Sequence, residues 1–305
     1  MSKKIAYLIS AYTEPKTLAN LIKAINTSFA DIFIHIDKKV DAGPFYEMIN
    51  LSENIYFVPD NLRIKVYWGG YSQVEMQESL IKYMFSFKRD YDMAVSLTGT
   101  DYPIVSNKTI LKNLCDTEKQ YIIGYNISNE EYVNGSKRPS HKDRFVYYYR
   151  MDGNRIIRGV IRRLKIKKVR SYEDLNYNFY YGSEYWALSY ECLKEIVDIY
   201  DHDKNLQSIL KTSFAPSESW IHTIFFNSQW KHYGIQYEDW NHRELQYLSP
   251  LTYFDYRGRV KVLKADDFET ALSSKKMFAR KIIVGESDAL IAKINKSRND
   301  IINEG

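Results

Sequence analysis

Cysteine is nearly absent from this sequence, because only Cys115 and Cys192 occur among 305 residues. Their spacing fits neither a disulfide framework nor a zinc site, so a reducing cytoplasm is the expected compartment.

Seven prolines and 13 glycines form no linker, which predicts a single domain over residues 1–305. No run of about 18 apolar residues occurs, so no membrane-spanning helix is expected. The run MSKKIAYLISAY has no small-residue cleavage site after it and is interpreted as a first strand.

Several catalytic motifs are also missing. No GxGxxG follows the first strand, and neither a P-loop nor GxSxG is present, which argues against dinucleotide, P-loop and hydrolase chemistry. Asp90-Tyr-Asp92 precedes a strand and Asp201-His-Asp203 follows a helix, so both are poorly placed for a metal ion. The position expected for a metal motif offers only Asp101. A diphosphate would therefore have to be neutralised by lysine or arginine.

Tyrosine and basic residues are abundant. The 27 tyrosines combine apolar area with a polar tip, which suits either sugar binding or half-buried packing. The run RIIRGVIRRLKIKKVR, residues 155–170, has eight basic residues and no acid, with apolar residues at helical spacing. Three explanations compete: a solvated surface helix, a helix docked on anionic lipid, and a nucleic-acid surface. No nucleic-acid motif accompanies the run, so no nucleic-acid partner is predicted.

The order of elements predicts an α/β fold. Apolar runs of strand length alternate with helical patterns in the first half, one helix beginning at Pro15 and another at an apparent capping box, Ser72 to Glu75. The predicted strands are 4–12, 31–39, 54–60, 91–99 and 120–127. Ligands of such sheets bind beyond the carboxyl ends of the strands, which places the chemistry near Ala11, Asp37 and Thr98 to Asp101. The second half has strand-like segments at 182–189, 247–256 and 278–284.

Seven segments together resemble one enzyme family. In chain order they read AYTEPKTLANLIKAI, IFIHIDKK, YWGGYSQVE, LTGTDYPIVSN, GSEYWALS, PSESWIHTIFFNS and FARKI. They are similar to the core-2/I-branching N-acetylglucosaminyltransferase and peptide O-xylosyltransferase family, glycosyltransferase family 14, over nearly the whole chain. With no N-terminal anchor and no disulfide framework, the sequence resembles the shorter bacterial members.

The resemblance implies a GT-A-type fold, with a Rossmann-like mixed sheet flanked by helices. Residues 1–127 would form the nucleotide-binding half and 128–305 the acceptor-binding and catalytic half. The implied reaction is inverting transfer of GlcNAc, xylose or another hexose from a UDP-sugar to a glycan hydroxyl, with no metal or other cofactor. The acceptor could be lipid-linked, as in bacterial surface-polysaccharide synthesis, with residues 155–170 on the inner face of the membrane.

The resemblance also assigns roles to residues. Glu218 of the Pro-x-Glu motif would be the catalytic base, at the first turn of a helix whose dipole keeps the acid ionised. Lys281 would bind the diphosphate with Arg259 or Arg257, while the adjacent Arg280 is a weaker candidate. The remaining assignments are Asp37, Ala11 and Asp101 to the donor, and Glu184, Tyr185 and Trp220 to the acceptor.

Two alternatives stay open. The first is a metal-dependent GT-A transferase that uses Asp101 as its metal ligand. The second is a noncatalytic basic module that binds an acidic polymer and no UDP.

Overall fold

The computed structural model describes residues 3–130, 140–237 and 244–303. Its strands are β1 Ile5–Ala11, β2 Ala30–Ile36, β3 Ile55–Phe57, β4 Met93–Thr98, β5 Tyr102–Pro103, β6 Ile123–Asn126, β7 Tyr180–Tyr181, β8 Ala187–Leu188, β9 Ile235–Tyr237, β10 Thr252–Phe254 and β11 Phe278–Arg280. Its α-helices are α1 Pro15–Ile25, α2 Gly43–Met48, α3 Ser72–Ser86, α4 Asn107–Cys115, α5 Asp143–Val146, α6 Arg155–Leu164, α7 Tyr190–His202, α8 Lys204–Lys211, α9 Trp220–Phe226, α10 Phe268–Ser273 and α11 Asp288–Asn303.

The main sheet has the strand order β3-β2-β1-β4-β8. Its first four strands are parallel, and β8 runs antiparallel to β4 at the edge. Ala11 lies opposite Ile36 and Ser10 opposite Thr98, so the carboxyl ends of β1, β2 and β4 meet at one edge. The predicted α/β fold, a Rossmann-like mixed sheet flanked by helices, is confirmed.

Both faces of the main sheet are covered, so β2 is buried along its whole length and β1 at every position except Ser10. Successive side chains of a strand point to opposite faces. Ile5, Tyr7 and Ile9 accordingly pack in the cluster that contains the buried face of α1, whereas Ala6 and Leu8 pack in the cluster that contains α3. That second cluster also includes Trp186, Trp220 and Phe225, so side chains from both halves of the chain share one core.

The strand predicted at 120–127 does not extend the main sheet. Tyr121 forms a single bridge with Ala187 of β8, but the strand itself, β6, pairs with β7 and β9 in a separate three-stranded sheet. The third sheet, β10-β11-β5, pairs the end of the chain with the segment that follows β4. Sequence periodicity cannot assign a strand to a particular sheet, because partner strands far apart in sequence decide the pairing.

The predicted helix within residues 155–170 is present as α6, and it ends at Leu164. Its apolar residues are unusually exposed, with 75% of Ile156 and 62% of Leu164 accessible to solvent. Among the described residues, no helix combines the length and apolar content needed to cross a bilayer.

The predicted capping box at the start of α3 is absent. Tyr71 is the N-cap residue, and no side chain of its own segment caps the helix. Instead Asp152, 80 residues later, accepts hydrogen bonds from the Tyr71 amide at 2.9 Å and from the Ser72 hydroxyl at 2.5 Å. A Cβ on Gly70 would overlap the Asp152 carboxylate, which explains the glycine. Asp152, which is distant in sequence, therefore caps α3 in place of the predicted Glu75.

Replacement of Asp152 by alanine should lower the free energy of unfolding by about 1–2 kcal/mol, because the amides at the start of α3 lose their acceptor. Glu75→Gln is the control and should stay within about 0.5 kcal/mol of the unmodified chain. Urea unfolding of both variants measures the difference. A loss of stability in Glu75→Gln and none in Asp152→Ala would contradict this assignment and support the local capping box.

Candidate active site

A cleft of about 510 Å³ opens at the carboxyl ends of β1, β2 and β4. This is the sheet edge that the sequence predicted. Six residues predicted to act in the site line the cleft: Ala11, Asp37, Glu184, Tyr185, Glu218 and Arg280. The other five predicted residues, Asp101, Trp220, Arg257, Arg259 and Lys281, lie outside its lining.

Asp37 follows β2 and forms part of the cleft wall. The backbone amides of Lys39 and Val66 donate to its Oδ1 at 2.9 and 3.2 Å, and Lys39 Nζ lies 3.5 Å from Oδ2. The Asp37 amide donates to the Ala11 carbonyl at 2.9 Å, which joins the ends of β1 and β2. The carboxylate is therefore held rigidly at the place where two strands end.

Gly99 lies in close contact with Ala11 at this edge. A Cβ on Gly99 would lie 2.9 Å from the Ala11 Cβ, closer than real Cβ contacts come. The glycine in LTGTDYP therefore lets the segment after β4 approach β1.

Glu218 lies in a 3-10 turn, Pro216–Glu218, and α9 begins two residues later at Trp220. The expectation that Glu218 occupies the first turn of the α-helix is thus wrong, because Ser219 leaves helical geometry at φ −134°. The Glu218 carbonyl accepts from the Gly182 amide at 2.8 Å, which fixes the turn against the end of β7. Hydrogen bonds, rather than the helix, set the position of the acid.

Arg144 on α5 is the partner of Glu218. Its Nη1 donates to Glu218 Oε2 at 2.6 Å, and its guanidinium lies 4.6 Å from the centre of the Tyr181 ring. No described residue donates a hydrogen bond to the second oxygen, Oε1. Sequence reasoning missed Arg144, because it lies in no recognisable motif and its partner is 74 residues away.

Glu184 is a second acid in the cleft. Burial raises the pKa of its carboxyl to about 7, the negative charge of Glu218 adds to this effect, and Ser217 and Arg280 oppose it. Gln73 Nε2 lies 3.4 Å from Glu184 Oε1. The cleft thus places a readily protonated carboxyl beside the predicted base.

Arg280, the last residue of β11, provides a cation in the cleft. Its Nη1 donates to Thr98 Oγ1 at 2.5 Å and to the Tyr185 hydroxyl. Behind it, Asp101 Oδ1 lies 3.8 Å from Nη1. Asp101 is fully buried and accepts from the Thr98 amide at 2.7 Å, and burial raises its pKa to about 6. The predicted contact between Asp101 and the donor is therefore wrong in this structure, where the carboxyl is buried behind Arg280 and outside the cleft lining.

The adjacent Lys281 lies outside the cleft lining, in contrast to the expectation that it would be the main diphosphate ligand. Strand β11 ends at Arg280, whose side chain lines the cleft, and Lys281 follows the strand. Arg257 and Arg259 lie on an exposed turn whose Tyr256 and Val260 reach the cleft. Arg257 pairs with Asp255 at 3.1 Å, whereas no described carboxylate pairs with Arg259.

Trp220 was assigned to the acceptor, and this assignment is wrong because its side chain is fully buried. Its indole N–H donates to Gln77 Oε1 at 2.5 Å and its ring packs 4.9 Å from that of Tyr200. Trp68 lines the cleft instead, with 71% of the residue accessible and its ring edge-to-face with Phe214, and the exposed Tyr12 and Tyr256 line it as well. A tryptophan beside two glycines, in YWGGY, is the signal that could have indicated it.

No group of three or more His, Cys, Asp and Glu side chains within residues 3–130, 140–237 and 244–303 could hold a metal ion. Asp37, Glu184 and Glu218 each line the cleft without forming such a group. Metal independence stays a prediction.

The Core-2/I-Branching enzyme family model matches residues 5–248. The chain belongs to this family. The predicted resemblance to this family is thereby confirmed over residues 5–248, which include six of the seven segments.

Individual members of the Core-2/I-Branching family are distant relatives. A mouse N-acetyllactosaminide beta-1,6-N-acetylglucosaminyl-transferase is 25% identical over 225 residues, which are 71% of this chain and 51% of that protein. A human protein described as probable beta-1,3-galactosyl-O-glycosyl-glycoprotein beta-1,6-N-acetylglucosaminyltransferase 7 is 21% identical, over 72% of this chain and 49% of its own length. The chain therefore spans about half the length of these curated relatives.

Similarity to solved structures is weak. Residues 1–349 of S. aureus TarS superimpose with a TM-score of 0.37 and 14% identity, over 77% of this chain and 58% of that one. The bifunctional glycosyltransferase WbbM also gives a TM-score of 0.37, with 11% identity, over 94% of this chain and 47% of that one.

The raised pKa of Glu184 predicts a pH-dependent stability. The folded chain keeps this proton up to about pH 7, whereas an unfolded carboxyl releases it near its ordinary value of 4.5. The unfolded state therefore loses protons first, and the contribution of Glu184 to stability falls as the pH rises from about 4.5 to 7. Glu184→Gln should remove this decline and leave the variant more stable above pH 7, by up to about 3 kcal/mol.

Urea unfolding at pH 5 and pH 8 measures this effect. Glu118→Gln, which changes an exposed glutamate, is the control and should follow the unmodified chain at both values. An equal loss of stability between pH 5 and pH 8 in Glu184→Gln and in the control would contradict the prediction.

Proposed function

We propose that this chain is an inverting glycosyltransferase that moves a sugar from a UDP-sugar to a glycan hydroxyl without a metal ion. Membership of the Core-2/I-Branching family supports glycosyl transfer. The decisive support is the geometry of Glu218, since Arg144 occupies one carboxylate oxygen and the other receives no hydrogen bond from a described residue. The sugar is GlcNAc or another hexose, or the pentose xylose.

Glu218 serves as the general base in this proposal. Inversion requires one carboxylate to take the proton from the acceptor hydroxyl while that oxygen attacks the anomeric carbon, opposite to the departing UDP. The new bond forms between the acceptor oxygen and the sugar, the bond to UDP breaks, and the diphosphate keeps the electron pair. Arg144 fixes the carboxylate, which keeps Oε1 available for the proton.

Arg280 neutralises the departing diphosphate. A guanidinium is permanently charged and matches the geometry of phosphate oxygens. Thr98 and Tyr185 hold Arg280 in place, and Asp101 lies behind it at 3.8 Å, beyond hydrogen-bond distance. Arg259 on the rim is the second proposed cation, because no described carboxylate pairs with it. Lys281 would have to turn into the cleft to take part.

The two substrates are proposed to occupy opposite sides of the cleft. Asp37 and Ala11, at the ends of β2 and β1, would contact the nucleoside. Glu184 and Tyr185 would contact the acceptor near Glu218. The exposed ring of Trp68 offers a flat apolar surface for a sugar ring, as aromatic side chains do where one face is open to solvent.

Glu218→Gln should lower sugar transfer by about a hundredfold or more, because the acceptor hydroxyl loses its proton acceptor. Binding of the UDP-sugar should survive, since Gln preserves the shape of the cleft. Steady-state transfer assays and calorimetric titration with UDP-sugar measure the two quantities. Glu191→Gln, an exposed change on α7, is the matched control and should transfer at the normal rate. Near-normal turnover of Glu218→Gln would remove Glu218 from this role.

The same assay separates the alternatives. EDTA should leave transfer unchanged if Arg280 and Arg259 neutralise the diphosphate. A loss in EDTA that manganese restores would support a metal-dependent transferase. Salt-sensitive binding to an acidic polymer without UDP binding would support a noncatalytic basic module.

The helix α6 is proposed to dock on an anionic membrane surface. Ile156, Ile157, Val160 and Leu164 are exposed on it. Arg162 and Arg163 lie in its last turn, and Lys165 follows. Exposed apolar residues beside basic ones suit a lipid interface better than bulk water. The proposed acceptor is lipid-linked, at the cytoplasmic face of a bacterial membrane where surface polysaccharide is made.

Charge reversal of Arg162, Arg163 and Lys165 to Glu should release the chain from vesicles that contain anionic phospholipid, since about 1 kcal/mol of attraction is lost per basic residue. Co-sedimentation with vesicles measures binding. A triple reversal of Lys112, Lys194 and Lys231, exposed lysines outside α6, changes the net charge equally and should leave binding intact. Equal sedimentation of the unmodified chain and both variants would count against docking through α6.

A further inference from the structure

A second cavity, of about 530 Å³, lies between α1, α4 and α11. We call it the basic cavity, because Lys23, Lys108 and Arg298 line it and none of its lining residues is a carboxylate. Its lining shares no residue with the cleft. Helix α1 begins near the cleft at Pro15, and Ala24 in the basic cavity lies roughly 14 Å farther along its axis.

Arg298 is the central residue of the basic cavity. Only 8% of it is exposed, and its Nη2 donates to the Ala24 carbonyl at 3.0 Å and to Asn107 Oδ1 at 3.1 Å. Its Nε has no hydrogen-bond partner in the part of the chain that the structure describes. No carboxylate among those residues pairs with the guanidinium. Buried charges in proteins are normally paired, whereas the described residues offer this guanidinium two uncharged acceptors and the ring of Tyr102, 5.9 Å away.

The start of α4 supplies further donors. Ser106 caps the helix by accepting from the Thr109 amide at 3.1 Å. The amides of Asn107 and Lys108 open the first turn, where backbone N–H groups have no acceptor within the helix. The positive end of the helix dipole therefore points toward the residues that line the cavity. Helix starts of this kind bind phosphate and sulfate groups readily.

The hydroxyl of Thr27 provides another observation. Its Oγ1 is buried, finds no hydrogen-bond partner among the described residues, and belongs to a residue that lines the basic cavity. Unsatisfied buried polar atoms are uncommon in folded proteins. Thr27 and Arg298 thus each have one buried and unsatisfied polar atom, and both residues line the cavity together with two lysines.

We propose that the basic cavity binds an oxyanion of the phosphate class. Lys23, Lys108 and Arg298 would supply the positive charge, and the first turn of α4 would supply backbone donors. An anion here would connect α11, near the end of the chain, to α1 and α4. The ligand is either free inorganic phosphate or the phosphate group of a larger molecule.

The test is calorimetric titration with inorganic phosphate and, in parallel, with glycerol 1-phosphate, at constant ionic strength. The double variant Lys23→Gln/Lys108→Gln should bind at least about tenfold more weakly than the unmodified chain, because two of three cations are removed. Lys194→Gln/Lys231→Gln, which makes the same charge change elsewhere, should bind normally. Tighter binding of the ester identifies an organic phosphate as the ligand, and equal binding identifies the free ion.

Crystals soaked in sodium tungstate locate the anion directly and separate this site from the cleft. Anomalous scattering should show a peak within hydrogen-bond distance of Arg298 and of the start of α4. A peak beside Arg280 alone, or phosphate binding that Lys23→Gln/Lys108→Gln leaves unchanged, would overturn the proposal. This result does not depend on glycosyl transfer, so either proposal can fail without the other.

Discussion

The ion pair between Arg144 and Glu218 is the interaction on which the candidate active site depends. Its two residues are separated by 74 positions, and each is placed by a different short element. Arg144 is held from the other side by the rings of Tyr181 and Phe214, so the guanidinium cannot easily follow a moving carboxylate. The pair therefore fixes Glu218, and removal of either partner would leave a partly buried charge without its counter-charge.

A second pair, Arg280 with Asp101, complements the first. In the Arg144–Glu218 pair the acid lines the cleft, and one of its oxygens accepts no hydrogen bond from the described part of the chain. In the second pair the cation lines the cleft and the acid is buried behind it. The cleft thus has one negative and one positive functional group, each supported by an opposite charge from behind. The proposed reaction, in which an acceptor hydroxyl loses a proton and a diphosphate gains charge, would need this arrangement.

Sequence patterns predicted the parts of the fold that local chemistry determines. The buried runs of β1, β2 and β4 located the sheet edge, and Asp37 and Glu218 were found there because motifs carried them. Contacts distant in sequence explain the errors. Glu75 could not reveal that Asp152 would cap α3, and an aromatic run could not show that Trp220 is buried while Trp68 is exposed. Arg280 and Lys281 are adjacent cations, so the sequence alone could not show which of them lines the cleft.

The cleft and the basic cavity are joined through one pair of strands. Asp101 lies behind Arg280, while the next residue, Tyr102, lines the basic cavity and donates from its hydroxyl to Asn295 Oδ1 on α11. Tyr102 also lies opposite Ala279 where β5 pairs with β11, one residue before Arg280. A ligand that binds only the folded cavity stabilises the elements around it by mass action. An oxyanion held between α11 and α4 would therefore stabilise the strand pair that presents Arg280 to the cleft.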